Sequence, residues 1–167
     1  MPNAKAVVLV GPMGVGKTTI GRRLAKELKI PFVDTDAIIT KSHGSISALF
    51  ESIGESGFRE IEEDAVMNQI ASNSVVATGG GAVLSARTRE ALSVATVVYL
   101  YTDGRHIANR LAKGNRPLLK NGMNDWRIIY ESRKAFYEEV ADITVDTSGV
   151  SLADTVKIIR EKLETHD

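Results

Sequence analysis

The chain has 167 residues, with 21 basic and 21 acidic side chains and no cysteine. Balanced charge gives no bulk attraction to nucleic acid or to a membrane surface, and without cysteine there is no disulfide and no thiolate metal site. A chain of this length is expected to form one domain, 1–167, whose core needs no covalent staple.

The first apolar run, 6–10, is β-branched and reads as a buried strand. It is far too short to span a bilayer, and Met1 to Lys5 lead straight into it, which argues against an export signal. A cytoplasmic protein is expected. Residues 17–29 follow as a helix, with Ile20, Leu24 and Leu28 on one face. A short strand at 32–34 comes next. Two helices, 45–53 and 55–71, are separated at Gly54. A third strand at 75–77 stops at Gly79, Gly80 and Gly81, and 85–93 reads as helical. A fourth strand covers 96–101, and a helix is expected over 103–112 with Asp103 near its N-cap. Residues 113–124 are rich in turn formers and read as a mobile lid. A helix over 125–140, a strand at 143–145 and a helix over 151–164 capped by Ser151 complete the chain. Strands alternating with helices predict an α/β fold with a parallel sheet covered on both faces. Ligands in such sheets bind at the carboxyl ends of the strands, so the residues just after each strand carry the functional reading.

After the first strand comes Gly11-Pro12-Met13-Gly14-Val15-Gly16-Lys17-Thr18, between a strand and a helix. This is the G-x-x-x-x-G-K-[ST] phosphate loop in its proper context. Its backbone N–H groups can form an anion nest, and the following helix adds its positive N-terminal dipole. Lys17 is expected to reach the β- and γ-phosphates of ATP, and Thr18 to offer its hydroxyl to Mg²⁺.

The second strand ends in Asp34-Thr35-Asp36. On an extended chain these carboxylates would point the same way. One could hold magnesium through water while the other accepts a hydrogen bond from a substrate hydroxyl. The alternative is an ordinary acidic helix cap, since Asp36 precedes a helical stretch at 37–41. Gly79, Gly80 and Gly81 either admit a ligand close to the backbone or form a flexible turn. Arg59, Arg116 and Arg133 could each grip a carboxylate or phosphate with a two-pronged fork, or be solvated surface. Arg116 lies in the expected lid, where closing arginines recur in phosphoryl transfer.

The ordered set of Gly-Pro-Met-Gly-x-Gly-Lys-Thr, Asp34-x-Asp36, Gly54-Glu55-x-x-Phe58-Arg59, Gly79-Gly80-Gly81, Arg116-Pro117-Leu118-Leu119 and Arg133-x-x-x-Tyr137 resembles shikimate kinase over nearly the whole chain. The resemblance implies a three-layer P-loop fold with a five-stranded parallel sheet in the order 2-3-1-4-5. It also implies transfer of the γ-phosphoryl of ATP to the 3-hydroxyl of shikimate. ATP binding would fall to Gly11, Gly14, Val15, Gly16, Lys17, Thr18 and Thr19, joined by Arg110 and Arg116. Arg110 resembles an adenine-side arginine, and 146–149 lies where the family often contacts adenine. Lys17, Asp36 and Arg116 would be the catalytic groups, with Asp36 at the reacting hydroxyl. Arg59 and Arg133 would clamp the substrate carboxylate, and Gly79, Gly80 and Gly81 would contact the ring through backbone. The acceptor region would span about 34–62 and the lid about 113–124. Thr18 and, through water, Asp34 would hold Mg²⁺. The expected partners are ATP and shikimate, with no nucleic acid and no membrane, and a monomer is expected. A kinase for another hydroxy acid such as gluconate, or a kinase-like module without catalysis, are the rival readings. Intact Lys17, Thr18, Asp34 and Asp36 argue against the latter.

Overall fold

Val7–Val10 (β1) is buried along its whole length, because its two faces serve two different layers. Val8 and Val10 pack into one cluster with Val76, Val97 and Tyr99, while Val7 and Leu9 pack into another with Val75, Val98 and Leu100. A strand that is apolar on both faces belongs at the centre of a parallel sheet, and β1 lies there. Each such aliphatic side chain contributes about 1.5–3 kcal/mol through burial. The computed structural model describes residues 5–111, 119 and 121–166.

The remaining strands are Phe32–Asp34 (β2), Val75–Ala77 (β3), Thr96–Tyr101 (β4) and Ile143–Asp146 (β5). The five form one sheet in the order β2-β3-β1-β4-β5, and every pairing is parallel. This is the order that the family resemblance implies. Lys17–Leu28 (α1) and Leu152–Thr165 (α7) supply Ile20, Leu24, Val156 and Ile159 to one face. On the other face lie Ala86–Ala91 (α4), Ile107–Leu111 (α5) and parts of Ile46–Gln69 (α3) and Met123–Val140 (α6), with Val66, Trp126, Tyr130 and Tyr137 in the core, while Thr35–His43 (α2) follows β2 directly. A smaller cluster of Ile39, Leu49, Phe58 and Ala65 joins α2 to α3.

Register fixes the site. Asp34 pairs with Ala77, and Ala77 pairs with Leu9, so the ends of β2, β3 and β1 reach the same edge of the sheet. The phosphate loop, Asp34 and the glycine run therefore emerge side by side.

Several boundaries differ from the sequence expectation for local reasons. The helix after β2 runs from Thr35, not 37, because the Asp34 side chain caps it by accepting the N–H groups of Asp36 and Ala37. The backbone leaves the helix at Gly54 (φ 72, ψ 177), as expected. The helix expected from 103 starts at Ile107, because the Asp103 carboxylate closes a turn onto the Arg105 N–H (2.9 Å). The stretch 85–93 is helical only over Ala86–Ala91, then tightens to a 3₁₀ turn. The helix expected from 125 starts at Met123, with the Asp125 carboxylate reaching back to the Asn121 N–H (2.8 Å). Ser151 caps α7 as expected, accepting the Asp154 N–H at 3.0 Å. Arg116 and most of the expected lid lie outside the described residues.

Candidate active site

The phosphate loop bends from β1 into α1, and Gly16 takes up the N-cap position of that helix with φ 107. An L side chain rarely adopts that conformation, so the motif's glycine is required there by backbone geometry. Lys17 is buried, and its ammonium donates to the carbonyls of Gly11 (2.7 Å) and Pro12 (2.9 Å). The cation is thus stretched across the mouth of the loop that its own backbone forms.

Thr18 donates its hydroxyl to Asp34 Oδ2 at 2.7 Å. Asp34 uses its other oxygen as the cap of α2. The sequence expectation of two carboxylates presented alike from an extended chain is corrected here. The strand ends at Asp34, and Asp36 sits in the first turn of α2. The helix-cap alternative falls to Asp34 and leaves Asp36 with a different setting. The Asp36 carboxylate lies against Gly79, where an added Cβ would meet Oδ1 at 2.9 Å. A hydroxyl and a carboxylate side by side suit a hard cation that keeps part of its water shell. Among the described residues no group of three or more acidic or histidine side chains is gathered for a metal, so the chain would supply only part of such a shell.

The residues expected on the acceptor side come from distant segments. Arg59 stands on α3 and forms a 2.8 Å ion pair with Glu62, one turn on, and a longer one with Glu55 (3.3 Å). Its guanidinium lies against Gly81 so closely that a side chain there would collide with it. Arg133 comes from α6 and is only 5% exposed. Its Nη1 lies 3.5 Å from where a Cβ on Gly80 would be. Loss of water pulls Arg133 below the ordinary guanidinium range, with the Tyr137 side chain opposing and the Arg59 cation adding to the fall. Tyr137 donates its hydroxyl to the Gly80 carbonyl at 2.5 Å, and burial pushes that phenol up to about 12. Among the described residues no carboxylate forms an ion pair with Arg133. Two guanidinium groups thus converge on a glycine run: Arg59 is held in place by Glu62 and Glu55, and Arg133 is the buried fork that could take an anion there.

Glu62 escaped the sequence reading. It is 2% exposed, and an added Cβ on Gly79 would lie 2.8 Å from its Oε2. Burial raises its pKa, while the Arg59 cation opposes that rise. The available signal was its spacing, since a residue three after Arg59 shares its helix face.

An open cleft of about 410 Å³ joins the phosphate loop to the glycine run, with Lys17, Thr18, Asp34, Asp36, Gly79 and Gly80 among its walls, and Arg133 lies behind Gly80 and Arg59 behind Gly81. Thr19 lines the cleft as well, and Arg110 stands at the rim. Beside it lies a second hollow of about 230 Å³, formed by Val15, Thr102, Arg110, Thr147 and Ser148 among others. Arg110 bridges the two and donates to the carbonyls of Gly14 (3.1 Å) and Val15 (2.9 Å). The expected adenine-side arginine and Thr147, Ser148 and Gly149 of the stretch at 146–149 thus border one hollow.

A family model described as shikimate kinase matches residues 13–164. The chain belongs to the shikimate kinase family. A shikimate kinase of Francisella tularensis subsp. novicida is 40% identical, with 99% of this chain and 96% of that relative covered. The solved shikimate kinase of Acinetobacter baumannii, in complex with shikimate, is 38% identical and superposes with a TM-score of 0.89, covering 97% of this chain and 94% of that one. The shikimate kinase of Aquifex aeolicus superposes at 0.82 with 32% identity, covering 95% and 96%. Membership gives the ordered motif set one explanation: among the described residues, the phosphate loop, Asp34 and Asp36 and the glycine run share the cleft, and Arg59 and Arg133 stand against that run.

Proposed function

We propose that the protein transfers the γ-phosphoryl group of ATP to the 3-hydroxyl of shikimate, giving shikimate 3-phosphate and ADP, a step toward aromatic amino acids. One observation carries the choice of acceptor. Arg133 lies against Gly80 and Arg59 against the adjoining Gly81, while the Asp36 carboxylate lies against Gly79 and shares the cleft with Gly80 and Lys17. A ligand with a carboxylate at one end and a hydroxyl across a small ring fits this layout. Its acid would lie between the guanidinium forks, and its hydroxyl would face the phosphate loop.

Phosphoryl transfer needs alignment and charge neutralisation more than covalent chemistry. Lys17 would leave the loop carbonyls for the β- and γ-phosphates. Asp36 would accept the hydrogen bond of the attacking hydroxyl and orient it. Glu62 would hold the Arg59 fork at its ion-pair distance. Arg116, outside the described residues, would close over the phosphates as part of a lid. Mg²⁺ fits the Thr18 hydroxyl and, through water, the Asp34 carboxylate, and when bound it neutralises phosphate charge. The proposal extends to a monomer acting in the cytoplasm. No described helix is long and apolar enough to cross a membrane.

A coupled assay with ATP and a panel of hydroxy acids tests the reading. ADP release should depend on shikimate and on magnesium and should yield shikimate 3-phosphate. Turnover with gluconate but not shikimate, or ATP hydrolysis that shikimate leaves unchanged, would overturn it.

A further inference from the structure

Trp126, Tyr130, Arg133 and Tyr137 recur at steps of four, three and four, so they share one face of α6. Three of these side chains make hydrogen bonds to separate parts of the site. At the N-terminal end the Trp126 indole N–H donates to the Met13 carbonyl of the phosphate loop at 2.8 Å. In the middle, Tyr130 shares a 2.6 Å hydrogen bond with Tyr99 and accepts the Thr102 N–H at 3.3 Å. Farther on, Tyr137 donates to the Gly80 carbonyl. Arg133 stands between the last two. Met13 and Gly80 are themselves neighbours, since a Cβ on Gly80 would lie 3.3 Å from both the backbone N and the Cγ of Met13. The loop after β1, the run after β3 and α6 therefore form a closed ring of contacts.

Trp126 is 2% exposed and packs on Tyr130 with ring centroids 5.1 Å apart. Packing alone would be served by any aromatic of that size. The indole adds a directional bond to the phosphate loop, and a buried donor is costly to leave unmade. We propose that Trp126 is a positioning residue whose N–H registers the phosphate loop against the helix face carrying Arg133. Nucleotide and acceptor then favour the same seating of α6, and each tightens the binding of the other by the same factor. The inference rests on the acceptor reading given above.

The chain contains one tryptophan. Expression with 3-benzothienylalanine, in which sulfur replaces the indole N–H, therefore alters position 126 alone. In the unsubstituted protein ADP should tighten shikimate binding. In the substituted protein the affinity for ADP alone and for shikimate alone should stay within about twofold, while the coupling factor and kcat should each fall about fivefold. A structural role would instead lower the melting temperature and leave the coupling intact. Equal coupling in the two proteins, or none in the unsubstituted one, overturns the inference. Should the substituted protein fail to fold, the single indole N–H resonance of the unsubstituted protein reads the same link. That resonance should shift with ADP alone and with shikimate alone, and a resonance unmoved by shikimate overturns the inference. If the unsubstituted protein phosphorylates no shikimate, the functional reading falls as well. If it does so and substitution leaves coupling intact, only the role of Trp126 falls.

Discussion

The phosphate loop is one consecutive stretch, 11–18, whereas the proposed acceptor side draws on α2, α3, the run after β3 and α6. The first is held by backbone conformation, with a glycine at φ 107 and a lysine folded onto neighbouring carbonyls. The second is held by tertiary packing, with Arg133 and Glu62 buried in the wall they help to form. A locally encoded site keeps its shape when its surroundings change. A site assembled from buried charges depends on every neighbour that compensates them.

Substitution at Lys17 tests the local half and should have the largest effect. Lys17→Met keeps the nest of backbone N–H groups but removes the cation, so kcat should fall about a hundredfold or more. Near-normal turnover would show that the loop does not hold the transferring phosphates. Arg133→Lys tests the assembled half. It keeps a charge but loses the fork, and the shikimate KM should rise about tenfold while the ATP KM changes little. Equal shifts in both constants would mean that the two halves are not separable in this way.

A milder probe is Gly81→Ala. The φ at Gly81 is −98, so alanine strains no backbone, but its methyl would displace the Arg59 guanidinium. Shikimate KM should rise about fivefold, from an imperfectly placed fork, with the melting temperature nearly unchanged. A loss of stability without a change in KM would assign Gly81 to folding.

The smallest effect concerns Glu62, whose folded pKa lies above its ordinary value of 4.5 because of burial. A carboxyl raised in this way favours the fold while protonated. That contribution is complete below about pH 4.5 and is lost as pH rises through the raised value. The stability of the parent relative to Glu62→Gln should therefore decline across that interval in chemical denaturation. A difference that does not vary with pH would show that Arg59 offsets the burial completely.

The same contrast explains how much the sequence discloses. The phosphate loop is legible because motif, strand and helix are contiguous, and the alternating elements announce the parallel sheet. Gly54 marks a break that the backbone does show. Asp34 and Asp36 were harder, because an i, i+2 pair reads as one surface on a strand. The Asp34 cap starts the helix one residue later and gives the two carboxylates separate surroundings. Glu62 was hidden among many charged residues of α3. Its burial, its ion pair with Arg59 and the close approach of Gly79 distinguish it from a solvated helix face, and all three come from tertiary packing. Trp126 had no place in the sequence reading; it is buried in the core, and its bond to Met13 spans 113 residues. Contacts at that separation follow from the fold and leave no local trace.

The lateral borders of the sheet have a consequence of their own. β2, on one border, is three residues long, and β5, on the other, is four, with Thr144 and Asp146 exposed. A border strand presents unpaired N–H and C=O groups on which another chain can add a strand. Here the longest strand, β4, is interior, flanked by β1 and β5. The borders leave little length for such growth, and each ends in an aspartate. The architecture that gathers the strand ends into a catalytic cleft also keeps its adhesive strands inside, and should let concentrated protein resist fibrous self-association.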